Sequence, residues 1–297
     1  MPSLLVRTLL AAIAALFATL ATAQDRAKVV AVNYPLQYFA DRLLDGSADV
    51  IFPVPQDTDP SFWRPAVADI SLVQSADLIL LNGAGFAAWV DRVSLPRSRL
   101  VNTSRDIKDR YVVTESITHS HGDGGEHSHE GLASYLWLDP TLAASQAEAT
   151  ARALASRGLA TTEGVDARLT ELKADLAALD AQAQSALADA QGVAMIATHP
   201  RYQYLARRYG LSITALEWEA GAAPTTDQLA ELRSLMDQTG AQVLIWEAEP
   251  PAEAQQAAVD MGLRNVTFPT LVHQPGDGDF MTAYGNAVSD LAAAVAN

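Results

Sequence analysis

Short, β-branched apolar runs alternate with helix-length segments over most of this chain, and one uninterrupted 25-residue helical stripe divides the alternation in two. KVVAVN at 28–33, 49–54, LILLN at 78–82 and 100–102 read as strands in the first part. VAMIA at 193–197, 212–216, 243–246 and 265–268 read as strands in the second. Strands alternating with helices require a mostly parallel sheet with crossover helices. Between the two sets, Leu169, Leu172, Leu176, Leu179, Ala183 and Leu187 recur at three- and four-residue steps, which places one apolar stripe along a helix about 38 Å long. The expected fold is therefore α/β: two similar lobes with parallel sheets, joined by one long linker helix, with a cleft between them. A coiled coil would produce the same stripe, but only three heptads are present.

Further helices are expected at about 35–44, 69–75, 83–93, 140–157, 202–209, 226–239, 251–261 and 280–295. The expected division is an N-terminal lobe over 24–160, a linker over 161–190 and a C-terminal lobe over 191–297. Residues 1–23 read as a signal peptide: Arg7, then 12 apolar-rich residues from Leu9 to Leu20, then Ala21-Thr22-Ala23 as a small-x-small cleavage pattern. That run is too short to span a bilayer. Cleavage near Ala23 would release a soluble periplasmic protein, and with no cysteine in the chain a lipid anchor on a mature N-terminal Cys is not expected.

Composition narrows the chemistry. Thirty-five acidic residues against twenty basic ones repel nucleic acid and anionic membrane surfaces, so no nucleic-acid partner is expected. The absence of cysteine removes zinc-thiolate sites, iron–sulfur clusters and thiol nucleophiles, so any metal must be held by nitrogen and oxygen. Residues 119–130, HSHGDGGEHSHE, contain four histidines and no apolar side chain, which makes them a loop unable to pack a core. Its His119/His121 and His127/His129 pairs suit weak chelation of a metal, either into the cleft or on the loop itself.

Six blocks in order, VVAVNYPLQYFADRLLDG, DTDPSFWRPAVADISLVQSADLILLNGAGFAAWVDRV, LWLDP, ATHPRYQYLARRYGL, APTTDQLAELRSLMDQTGAQVLIWEAE and YGNAVSDLAAAV, resemble the solute-binding proteins of ABC importers for zinc and manganese. The resemblance covers essentially the whole chain after residue 23. It implies a monomeric periplasmic protein that captures a divalent metal, foremost Zn2+ and alternatively Mn2+, and delivers it to an ABC-type membrane permease. It implies small lobe motions as well, because one rigid helix joins the lobes.

The metal site departs from the family's pattern. Where that pattern places a first His after Asp-Pro, this chain has Ser61. Where it places a second His before Trp-Leu-Asp-Pro, Tyr135 stands. His199 in ATHP matches the third position, and the late Asp position falls in Phe268-Pro269-Thr270-Leu271, at Pro269. One histidine with water cannot hold zinc tightly. Replacement ligands are sought in His119, His121, His127 and His129, and in Glu217, Glu219, Glu247 and Glu249, which follow strand ends where α/β sheets place ligand groups. His273 is expected to be exposed. Trp63, Trp218 and Trp246 are candidate cleft aromatics, which would suit a metal chelate or small organic solute. A periplasmic metal buffer built on the His-rich loop is a further alternative. No G-x-S-x-G elbow surrounds Ser61 and no H-E-x-x-H motif occurs, so an enzyme is not expected.

Overall fold

The computed structural model describes residues 26–114, 118–120, 126–128 and 131–296. The expected signal segment, His121 and His129 lie outside them. The first lobe holds strands β1 (Lys28–Ala31), β2 (Asp49–Ile51), β3 (Leu78–Leu81) and β4 (Leu100–Asn102), with helices α1 (Tyr34–Leu44) and α2 (Val67–Ser75). Beyond the antiparallel pair β5 (Thr118–Ser120) and β6 (Glu126–Ser128) come α3 (Pro140–Ser156) and the linker α4 (Thr162–Ala186). The second lobe holds β7 (Ala194–Ala197), α5 (Gln203–Tyr209), β8 (Ser212–Ala215), α6 (Thr226–Thr239), β9 (Val243–Trp246), α7 (Ala252–Asp260), β10 (Arg264–Thr267) and α8 (Phe280–Ala296).

Both lobe sheets are parallel and share one strand order. The first runs β2-β1-β3-β4 and the second β8-β7-β9-β10. In each, the chain leaves its first strand toward one edge and returns on the other side of it. The crevice outside the carboxyl ends of β1/β3, and of β7/β9, is thus a switch point where α/β sheets bind ligands. The inner strands β1, β3, β7 and β9 are apolar and mostly buried because helices cover both faces, whereas the edge strand β8 is largely exposed.

Local chemistry sets the helix limits. The Asn33 side chain accepts from the Leu36 amide (3.1 Å) at the start of α1, and that of Asp139 accepts from the Thr141 amide (2.9 Å) at the start of α3. Gly210 and Gly240 end α5 and α6 in the left-handed region. The helix expected over 83–93 does not form. Gly83, Ala84 and Gly85 all have positive φ, so the chain loops and only a 3-10 turn at Ala88–Arg92 follows. A Cβ on Gly83 would lie 2.1 Å from the Ser104 Oγ, so the close approach of these segments demands glycine.

The linker α4 buries Val165, Leu172, Leu176, Leu179 and Ala183. One continuous core runs from Val29 and Phe39 through these residues to Phe268, Tyr284 and Leu291, so the helix is packed into both lobes. Asp180, buried on α4, accepts from Arg208 Nε (2.8 Å) and the Tyr209 hydroxyl (3.2 Å) on α5. Hydrogen bonds also cross between the lobes: Trp137 Nε1 donates to the Thr270 carbonyl (2.7 Å), the Tyr34 amide to Val272 (3.0 Å) and Tyr204 Oη to Ala133 (3.0 Å).

Candidate functional site

A cleft of about 1270 Å³ opens between the lobes. Its lining includes Asp59, Ser61, Phe62, Trp63 and Trp89 from one lobe and His199, Arg201, Glu219, Glu247, Pro269 and His273 from the other. A second cavity of about 610 Å³ adjoins it and shares Ser61, Phe62, His199 and Arg201, adding Asn82 and Tyr135. The carboxyl ends of β7 and β9 deliver His199 and Glu247, so the second lobe's switch point supplies both.

His199 is 7% exposed. Its Nδ1 lies 2.8 Å from the Trp218 carbonyl. A carbonyl oxygen only accepts, so in the neutral ring Nδ1 carries the proton and the lone pair is on Nε2. In that tautomer, fixed by a backbone carbonyl, Nε2 is the nitrogen able to ligate a metal.

The centre of the site is a residue that sequence reasoning passed over. Arg201, 8% exposed, donates from Nη2 to Asp59 Oδ2 at 2.7 Å, and its Nε lies 3.7 Å from Glu247 Oε2. Its guanidinium carbon stands 4.7 Å from the Tyr135 ring centroid and 5.9 Å from that of Phe62. Ser61 donates to Asp59 Oδ1 from both its hydroxyl (2.5 Å) and its amide (2.8 Å). Burial pushes the Asp59 carboxyl up, but Arg201 and the Ser61 hydrogen bonds outweigh it and hold it below the usual carboxylate range. Burial raises Glu247 above that range, against the pull of Arg201; its Oε1 accepts from the Thr270 hydroxyl at 3.3 Å. The available signal for Arg201 was a lone cation two residues after His199 in a strongly acidic chain.

The other expected site residues divide. Ser61, Tyr135, Pro269, Trp63 and Glu247 line one or both cavities. Glu217 lines neither; Glu219, two residues on, faces the cleft instead. Trp218 and Trp246 are not cleft aromatics. They pack 5.7 Å apart in the second lobe's own core with Leu232 and Leu244, under α6 and α7, because side chains alternate across the sheet. His273 is half-buried, not exposed, with Nε2 2.8 Å from the Thr58 carbonyl across the cleft. In the β5–β6 pair His119 stands directly across from His127. Thr114 and Leu132, which flank the His-rich segment, line the second cavity. Among the described residues, no three His, Asp or Glu side chains converge to hold a metal ion; the Arg201 guanidinium lies beside the Asp59 and Glu247 carboxylates.

Residues 29–294 match the family model described as "ZnuA: Zinc-uptake complex component A periplasmic". The chain belongs to this zinc-uptake family. It is 26% identical over 256 residues to the high-affinity zinc uptake system protein ZnuA of Bacillus subtilis, covering 83% of this chain and 79% of that protein. It is also 26% identical over 235 residues to the zinc-binding lipoprotein AdcA of Streptococcus pneumoniae; the match takes in 75% of this chain and 46% of AdcA, so the chain spans about half the length of that relative. The crystal structure of the metal-dependent lipoprotein YcdH of Bacillus subtilis superposes with a TM-score of 0.74 at 21% identity, over 91% of this chain and 99% of that one. The zinc-uptake family consists of extracytoplasmic solute-binding components of transport systems, and its two-lobe fold is the one described above. Among the described residues no helix is long and apolar enough to cross a membrane.

Proposed function

We propose that this protein is the periplasmic solute-binding component of an ABC importer, that zinc is its cargo, and that a membrane permease receives the zinc from it. Export through cleavage near Ala23 fits this reading. The observation that carries it is His199: a buried imidazole at the β7/β9 switch point, held by the Trp218 carbonyl in the tautomer that ligates through Nε2. The Glu247 carboxylate lies 3.6 Å from its Nδ1. The histidines at 119, 121, 127 and 129 collect zinc weakly. Titration of zinc against a chromophoric chelator tests this. His199→Ala weakens the tightest binding at least about 100-fold, while deletion of 119–129 lowers stoichiometry and leaves that event in place. A wild-type Kd weaker than about 100 μM, near -5.5 kcal/mol, would refute zinc as the bare cargo.

A second reading, zinc carried within a small chelate, is favoured by the cleft's 1270 Å³ and by Phe62, Trp63 and Trp89 on its wall. Titration with zinc citrate beside zinc alone separates the two.

A further inference from the structure

Four cleft positions act together on one group. Asp59 reaches the Arg201 guanidinium from the first lobe at 2.7 Å, and Glu247 faces it from the second at 3.7 Å. The residues standing where the family pattern has its first two histidines both serve this same cation. Ser61 steadies the Asp59 carboxylate with two hydrogen bonds, and Tyr135 lays its ring 4.7 Å from the guanidinium carbon. Ser61 and Tyr135 therefore belong to a nest shaped for a planar cation, with oxygen acceptors at its edge and an aromatic face over it.

We infer that Arg201 is a tethered cation standing in the cargo's place, and that zinc enters only by displacing the guanidinium from Asp59 and Glu247. This rests on the reading of zinc as cargo. Once the guanidinium withdraws, the Asp59 and Glu247 carboxylates are uncovered beside His199, and nitrogen and oxygen donors of these kinds are ones that zinc accepts. While it stays, a second and doubly charged cation in the same nest meets its repulsion in a buried setting where screening is weak. Arg201 thereby sets the threshold of zinc concentration at which the cleft loads, and it keeps the two lobes bridged below that threshold.

The test is zinc titration by chelator competition on the wild type, Arg201→Met, His199→Ala and the double variant. Arg201→Met keeps the apolar stem and removes the charge. It is expected to bind zinc about 100-fold tighter than the wild type, with the gain lost in the double variant. A second measurement needs no variant: in the metal-free wild type the Arg201 Nε–H NMR resonance exchanges slowly with water, and saturating zinc removes that protection. If the wild type binds zinc through His199 and Arg201→Met binds no tighter, or the resonance is unmoved by bound zinc, the tethered cation is overturned and the zinc reading stands. If Arg201→Met binds tightly while the wild type stays weaker than about 100 μM, the tethered cation stands and zinc as the natural cargo falls. If neither binds zinc through His199, both are overturned.

Discussion

Asp59→Asn removes one charge from the ion pair that bridges the cleft while keeping the side chain's shape. Separating the members of a buried ion pair costs about 3–5 kcal/mol, because the survivor is left uncompensated away from water. Two features lower that figure. Glu247 remains 3.7 Å from Arg201 as a partial partner, and the Asp59 side chain is 30% exposed, so solvent screens part of the interaction. The expected loss is about 2–3 kcal/mol, or a fall in Tm of about 4–5 °C for a chain of this size. Urea denaturation at pH 7, with the midpoint moving and the slope constant, is the assay. The pH dependence gives a second check. The folded-state pKa of Asp59 is depressed, so its contribution is fully present above the unfolded value of about 3.9 and is lost as pH falls through the lower folded value. The gap between wild type and variant is therefore full at pH 5–7 and closes in stronger acid. Combining Asp59→Asn with Arg201→Met costs less than the sum of the single changes, since the second removes the orphan left by the first. A loss below about 0.5 kcal/mol, or strict additivity, would refute the idea that this pair is a buried bridge.

Three further outcomes are expected. Trp137→Phe deletes the 2.7 Å bond to the Thr270 carbonyl and leaves that buried acceptor without its indole donor, at a cost of about 1–3 kcal/mol in chemical denaturation. Gly83→Ala sets a Cβ 2.1 Å from the Ser104 Oγ at a φ of +81°; its destabilisation exceeds the ~1 kcal/mol of an ordinary left-handed alanine, read as a lowered Tm. Solution scattering with and without zinc gives nearly equal radii of gyration, because the long linker and the cross-lobe bonds resist closure; a large compaction would show that the lobes hinge freely.

Periodicity made the sheets and the linker legible: the stripe from Leu169 to Leu187 is the buried side of α4, with Leu172, Leu176 and Leu179 at its centre. His199 was legible too, through its place in the ATHP block. The ion pair was not, because Arg201 and Asp59 are 142 residues apart and no local pattern reports a contact across a cleft. The false helix at 83–93 arose from apolar spacing at Phe86 and Trp89, which carries no trace of the positive φ at Gly83, Ala84 and Gly85. Trp218 and Trp246 misled for a related reason. A residue at a strand end can point to the cleft or to the helix layer, and only the sheet's face decides.

The linker α4, packed into both lobes through one continuous core, has a consequence for unloading. A hinged carrier spills its cargo by thermal gaping, but here the jaws share a beam, and parting them breaks several bonds worth about 1 kcal/mol each at once. On the proposed reading, release would then wait for an external push: a permease that gripped both lobe tips and strained the beam would set the moment of discharge.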